Sequence, residues 1–378
     1  MLYYLIRSFY LIYLIPLFLL GYLIFRAIRG KRKVKGIKEK NWYLQLSLSK
    51  EDFVSQFFFL ISIFFLGVTL LAFNKDLGEP LSWRTILLLV SVIGLIMAYY
   101  FKVIYTLIIS LVGFTVWWIS QAIEWIEIEG VAIRSIVLFV GFIFIATIFY
   151  LLSHVHEKEI RLKRVSIVYL ILGLISIISV LFYFSTDFGL KTLEKTTKGV
   201  SFFASMEITL SFLIFLSLII GLLIYTLRKD LIFKSEAMVI GFLVILFCII
   251  ALIPEQIIFL QKQNYFYGSY RDLNLSSGGI FWAILFNILI FLKLVGIIFL
   301  GYLKQENWLI SLGIFLLFIL IFIKYFDWFF AFLDKSVFFI SAGILLITIG
   351  WFMEKGRRRL LANVKKKIDF DENIALNQ

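Results

Sequence analysis

The 378-residue chain has little charge, one cysteine, two histidines and three prolines, and each scarcity closes off a class of protein. Charged residues make up 16% and hydrophobic residues 62% of the chain, against roughly 25% and about 45–50% in soluble proteins. With a mean hydropathy of +1.00, this is the composition of a membrane protein. Cys248 alone admits no intrachain disulfide and no paired-cysteine metal site. Of Pro16, Pro80 and Pro254, only Pro16 sits well inside an apolar run. Proline-broken helices, which many transporters use at their binding sites, are therefore not signposted, although glycine can supply such breaks. No Asp or Glu falls in the middle of an apolar run. That lowers the expectation of a proton or sodium relay and leaves ligand-driven or facilitated transport open. No phosphate-binding Gly-Lys loop, dinucleotide fingerprint, G-x-S-x-G elbow or HExxH pair occurs, and no internal repeat is visible.

What is present is a succession of apolar runs of about 20 residues, the length that crosses a bilayer core as a helix. Eleven spans are expected: Leu2 to Phe25, Phe53 to Phe73, Thr85 to Phe101, Val103 to Ile119, Ser135 to Leu152, Val165 to Phe184, Ile208 to Leu227, Ala237 to Ile253, Ile280 to Tyr302, Trp308 to Ile323 and Val337 to Met353. The expected fold is all-α, a polytopic transmembrane helical bundle. Residues 1–353 form one polytopic domain, and residues 354–378 a basic then acidic cytoplasmic tail. The first run lacks a strong basic n-region and has no small-residue cleavage site, so it reads as a retained helix and not as a signal peptide. Ser49-Lys50-Glu51-Asp52 fits a capping pattern ahead of the second span.

The net charge of +13 would suggest nucleic acid in a soluble protein; here its placement sets topology. The first span is followed by Arg26, Arg29 and Arg32, and the last by Arg357, Arg358 and Arg359. With the N-terminus outside and the C-terminus cytoplasmic, the cytoplasmic segments hold 25 Lys and Arg and the opposite segments 10, counting Lys324 with the latter. The acidic residues divide evenly, 12 and 12, as expected if basic residues alone decide orientation. The pattern depends on a turn at Lys102 in "AYYFKVIYT", where no Gly or Pro marks one. A single helix from Thr85 to Ile119 would measure about 52 Å, far longer than a ~30 Å hydrocarbon core. A hairpin is therefore expected.

Candidate ligand-binding residues are few. Lys293, in "ILIFLKLVGII" of the ninth span, is either a snorkelled or paired structural lysine or a functional charge, since a lysine in hydrocarbon normally faces protein or water. Asn287 precedes it by six residues, about 120° around the helix, and is not its facial partner. In "SQAIEWIEIEG", Glu124 and Glu127 share a face if the helix continues, beside Trp117, Trp118 and Trp125. Paired carboxylates on aromatic platforms suit glycan chemistry, while an aromatic belt with hydrated acids is the plainer reading. The loop "QKQNYFYGSYRDLNLSSGG" offers Tyr267 and Arg271 among other tyrosines, able to stack on a sugar or grip an anionic headgroup, or simply to mark the interface. "SHVHEKEIR" places His154 and His156 two apart, about 200° around a helix. It reads as a solvated cytoplasmic loop and not as a metal site. No metal or cofactor is expected.

The run "KYFDWFFAFLDKSVFFISAGILLITIGWFMEKGRRRLLANVKK" from Lys324 has a short aromatic and acidic loop, a small polar residue opening the last helix, and "GW" before a basic stop. In that order these resemble the ending of a bacterial family of polytopic inner-membrane proteins of unknown function. A looser similarity covers Val137 to Phe184, through "HEKEIRLKR" and "LILGL". The resemblance implies a multi-pass bacterial inner-membrane protein and supplies no catalytic residues. The function expected is a non-enzymatic envelope or accessory component. A permease or flippase for a small or amphipathic solute is the first alternative, and a membrane enzyme of envelope polysaccharide assembly the second. The expected partners are membrane lipids, including anionic headgroups at the cytoplasmic face, with no nucleic acid and an unspecified envelope protein. Gly343 and Gly350 share nearly one face of the last span and are expected to permit close helix packing.

Overall fold

The computed structural model describes residues 50–127, 133–159, 162–197, 199–252, 277–329, 340–341, 343–359 and 362. Within them run α1 (Lys50–Asp76), α2 (Trp83–Phe101), α3 (Ile104–Glu127), α4 (Ile136–Glu157), α5 (Lys163–Phe184), α6 (Asp187–Thr196), α7 (Met206–Arg228), α8 (Lys234–Leu252), α9 (Ser277–Leu303) and α10 (Asn307–Phe329). All but α6 are long and apolar enough to cross a membrane, and these nine correspond to the second through tenth expected spans. The described chain is thus a multi-pass helical membrane protein. There is no strand among the described residues, only one isolated parallel bridge between Ile133 and Val200. The first expected span and Ser49 lie outside the described residues. Of the last expected span, residues 343–353 are helical, and the helix continues to residue 359.

The hairpin at Lys102 is present, and its geometry explains why no glycine signals it. Lys102 itself adopts the left-handed conformation, φ 59° and ψ 38°, and the Val103 N–H reaches back to the Ala98 carbonyl at 3.2 Å. The same closure recurs after α7, where Asp230 has φ 52° and the Leu231 N–H bonds the Thr226 carbonyl at 2.9 Å. It recurs again after α9, where Gln305 has φ 58° and the Glu306 N–H bonds the Gly301 carbonyl at 2.9 Å. These six-to-one bonds satisfy carbonyls that would otherwise be orphaned at the helix ends. The end of α1 closes in the same way, with Gly78 at φ 85° and the Glu79 N–H on the Asn74 carbonyl at 2.8 Å, and the connection to α2 adds a side chain. Asn74 donates to the Leu81 carbonyl at 2.8 Å and accepts from the Leu81 N–H at 3.0 Å. Ser82 then caps α2 by accepting from the Thr85 N–H.

By contacts the chain divides into two compact units, Met1–Ser176 with Gly199–Leu252, and Ile177–Lys198 with Ile253–Gln378. In the first, α2 and α3 pack through small residues. A side-chain carbon at Gly94 would collide with Ser110, and one at Gly113 would press on Ser91. Small residues let helices approach where lipid supplies no hydrophobic drive. The centre of this unit is α4, packed against α7 and α8; 72% of its apolar window is buried, against 17% for α7. Trp118 of α3 fills the space that a side chain at Gly141 of α4 would take and lies beside Phe215 of α7. It is a core residue, 2% exposed, and not part of an interfacial belt. In the second unit α9 and α10 form a hairpin with α6 against α9, and α6 was not foreseen as a helix. Close packing at Gly343 and Gly350 is not seen among the described residues. Among the described residues nothing lies within 4 Å of a Cβ placed on Gly343, and only Phe318 reaches one on Gly350, at 4.0 Å.

Gln305→Gly should raise stability by about 1 kcal/mol, because the left-handed conformation costs a glutamine about that much. Asp230→Gly should gain less, since aspartate tolerates this region better. Thermal unfolding in detergent checks both, and equal effects would refute the account.

Candidate functional site

The expectation of a solvated loop at "SHVHEKEIR" is corrected: α4 runs five residues past Leu152 and carries both histidines on its last turn. The helix continues because its polar side chains are satisfied as they arrive. Ser153 Oγ donates to the Tyr150 carbonyl at 2.6 Å. His154 Nδ1 lies 3.0 Å from the same carbonyl, and His156 Nδ1 lies 2.6 Å from the Leu152 carbonyl. A carbonyl only accepts, so both rings carry a proton on Nδ1. From α5, Ser166 Oγ donates to the Ser153 carbonyl at 2.8 Å and holds the turn from outside.

The two rings then serve opposite flanks. His154 is 1% exposed and presents Nε2 to Glu236 Oε1 of α8 at 3.4 Å. Tyr150, one turn earlier on α4 and also fully buried, donates its hydroxyl to the same carboxylate oxygen. Tyr150 and His154 have ring centroids 5.0 Å apart. Glu236 Oε2 is buried and has no hydrogen-bond partner among the described residues. On the other flank His156 stacks on Tyr169 of α5, with planes 8° apart. Its Nε2 lies 3.1 Å from the Tyr99 hydroxyl of α2, itself 3.0 Å from the Tyr169 hydroxyl. One helical turn thus sets His154 against Glu236 of α8, while His156 contacts Tyr99 of α2 and stacks on Tyr169 of α5.

A second polar cluster lies in the other unit. Asn287 Nδ2 bonds the Ala283 carbonyl at 2.7 Å and reaches the Ser185 carbonyl at 3.4 Å. Lys324 Nζ donates to that Ser185 carbonyl. Lys324 was expected outside the membrane, but α10 continues through it to Phe329 and it is buried. Lys293 is half-buried on α9. The fourth expected span also runs on, so Glu124 stands on α3 and Glu127 is its last residue. Glu124 is bonded by Arg84 and, at 2.9 Å, by Gln121. Its carboxylate therefore has local cationic and amide partners.

Tyr267 and Arg271, like Arg26, Arg29 and Arg32, lie outside the described residues. Arg357, Arg358 and Arg359 end the helical stretch 343–359. Glu354 pairs with Arg358 at 2.8 Å and with Arg357 at 3.4 Å. The Arg358 hydrogen bond holds the Glu354 carboxyl below the usual carboxylate range.

Glu236, Tyr150, Tyr99 and Tyr169 were missed from sequence. One signal was available: Tyr150 and His154 are four apart and share a helix face. Pairing with Glu236, 82 positions further on, left no local trace. No protein-family profile matches the chain, and comparison with curated proteins and with solved structures finds no match to either. The resemblance of the C-terminal run therefore rests on its own residues.

Tyr150→Phe removes a donor from a buried carboxylate and should destabilise the protein by about 1–3 kcal/mol. Ser166→Ala should cost about 1 kcal/mol. Steric-trap or thermal unfolding in micelles measures both, and a neutral Tyr150→Phe would contradict the cluster's structural role.

Proposed function

We propose that this chain is a non-enzymatic envelope or accessory component of a bacterial inner membrane, with its N-terminus outside and its C-terminus in the cytoplasm. The observation that supports the role is how the candidate ligand residues are engaged. Glu124 is held by Arg84 and Gln121, and Asn287 and Lys324 by backbone carbonyls. Groups bonded in this way act as struts. The orientation is supported by the excess of Lys and Arg, 25 against 10, on the side that carries the turns at Lys102, Asp230 and Gln305. Basic residues at that face also suit anionic headgroups.

Cys248 is the chain's only cysteine, so a Cys248→Ser background permits a clean map. Single cysteines at Lys158, Lys229 and Lys304 should react with a membrane-impermeant maleimide only after the cells are opened. Cysteines at Glu79 and Lys195 should react in intact cells, and the reverse pattern would overturn the topology. For the role, proteoliposomes holding the purified protein should release small solutes and scramble fluorescent lipids no faster than protein-free vesicles. Flux above that background, lost on Lys293→Met with insertion intact, would establish a permease or flippase instead.

A further inference from the structure

We infer that Arg84 and Glu124, with the Trp83 ring beside them, form a lipid-headgroup site that takes a zwitterionic phospholipid bearing a primary ammonium. Position comes first. The span that opens at Trp83 has 19 residues and reaches about 28 Å, close to the ~30 Å of a hydrocarbon core. Trp83 and Arg84, the first two residues of α2, therefore stand where hydrocarbon gives way to headgroups. Trp83 is 52% exposed, so its ring meets that layer directly. The Arg84 guanidinium lies over the ring, 5.6 Å from its centroid, and Arg84 Nη1 donates to Glu124 Oε2 of α3. Gln121 Nε2 donates to the same oxygen at 2.9 Å. A cation and a carboxylate are thus held side by side, the cation from two directions.

These bonds engage one guanidinium nitrogen and one carboxylate oxygen. The side chains of Arg84 and Glu124 are 21% and 45% exposed, so the pair ties α2 to α3 and still turns part of both groups outward. A guanidinium suits a phosphate, which it can grip with two parallel N–H donors. A carboxylate next to it suits an ammonium that carries N–H donors. A phosphoethanolamine headgroup has both charges on one short chain, whereas a phosphocholine headgroup has no N–H to donate and a phosphoglycerol headgroup has no cation. The wider charge agrees. Lys75, Asp76 and Glu79 are exposed at the same end, and Glu127 closes α3. Acids outnumber bases there, which disfavours an anionic headgroup and favours one that brings a positive charge. The site depends neither on the role nor on the orientation proposed above.

The experiment uses purified, delipidated full-length protein in detergent and native mass spectrometry with dioleoyl phosphatidylethanolamine, phosphatidylcholine and phosphatidylglycerol at equal concentrations. The wild type should retain the ethanolamine lipid about two- to fivefold better than the other two, the scale of one exposed ion pair. Glu124→Gln should abolish that preference over the choline lipid, and Arg84→Gln should lower the retention of both. Equal retention of all three lipids by the wild type would mean boundary lipid only and would overturn the site. A preference for the glycerol lipid, or an ethanolamine preference that survives in both variants, would also overturn it. If either variant fails to fold, the wild type decides, loaded with a phosphatidylethanolamine that carries a diazirine near its headgroup. Photolysis should label residues within 81–85 or 121–125, and labelling confined to other segments would refute the proposal.

Discussion

In hydrocarbon a polar group has no water to bond, so each must find its partner within the protein. That constraint explains the local chemistry of this chain better than any residue pattern does. Hydroxyls inside the helices turn back on the preceding turn: Ser62 to Phe58, Thr115 to Leu111, Thr147 to Ile143 and Thr226 to Leu222, at 2.7–2.9 Å. Helix ends meet the same demand through left-handed turns at Lys102, Asp230 and Gln305, and through the Asn74 amide standing in for a backbone pair. The large exposed side chains, such as Phe64 at 67% and Met206 at 77%, carry no such demand. In lipid an apolar face needs no partner.

Because lipid tails are as apolar as leucine, helices stay together by close packing and by polar contacts. α4 is where both operate at once. Trp118 seats on it at Gly141. A Cβ on Gly173 of α5 would lie 2.7 Å from the Tyr150 nitrogen, so α5 approaches almost backbone to backbone. Tyr150 is thus fixed by close packing at its main chain and by Glu236 at its hydroxyl. That fixation holds His154, one turn later, facing a carboxylate on α8. Packing through the body of α4 positions the chemistry at its end.

The class and most helix positions were legible because length and hydropathy depend on sums over about 20 residues, and sums are robust. The hairpin at Lys102 was legible for a geometric reason, since one helix there would be too long, while its turn chemistry was hidden in a residue type that does not advertise a left-handed conformation. The histidines were misplaced because apolarity ends at Leu152 whereas the helix does not. A sequence reading equates the end of an apolar run with the end of a helix, and that equation fails wherever neighbouring elements satisfy the polar residues that follow. It failed the same way at Ile323, past which α10 carries Lys324 into a buried contact with the Ser185 carbonyl. Trp118 was read with its neighbours as part of a belt because composition cannot separate an aromatic facing headgroups from one facing a glycine on the next helix.

These extensions also bear on the charge argument for orientation. Lys324 was counted among extramembrane charges, yet a buried lysine bonded to a carbonyl cannot report on the side where its helix ends. Removing it lowers the smaller tally from ten to nine and widens the asymmetry. On the richer side several charges are helix-terminal: Lys163 and Lys234 open α5 and α8, and Arg228 closes α7. Long basic side chains at such positions lay their stems along apolar surface and keep their charge in the headgroup layer. The residues that argue for the bundle's orientation thus stand at helix ends, as the two histidines stand in the last turn of α4.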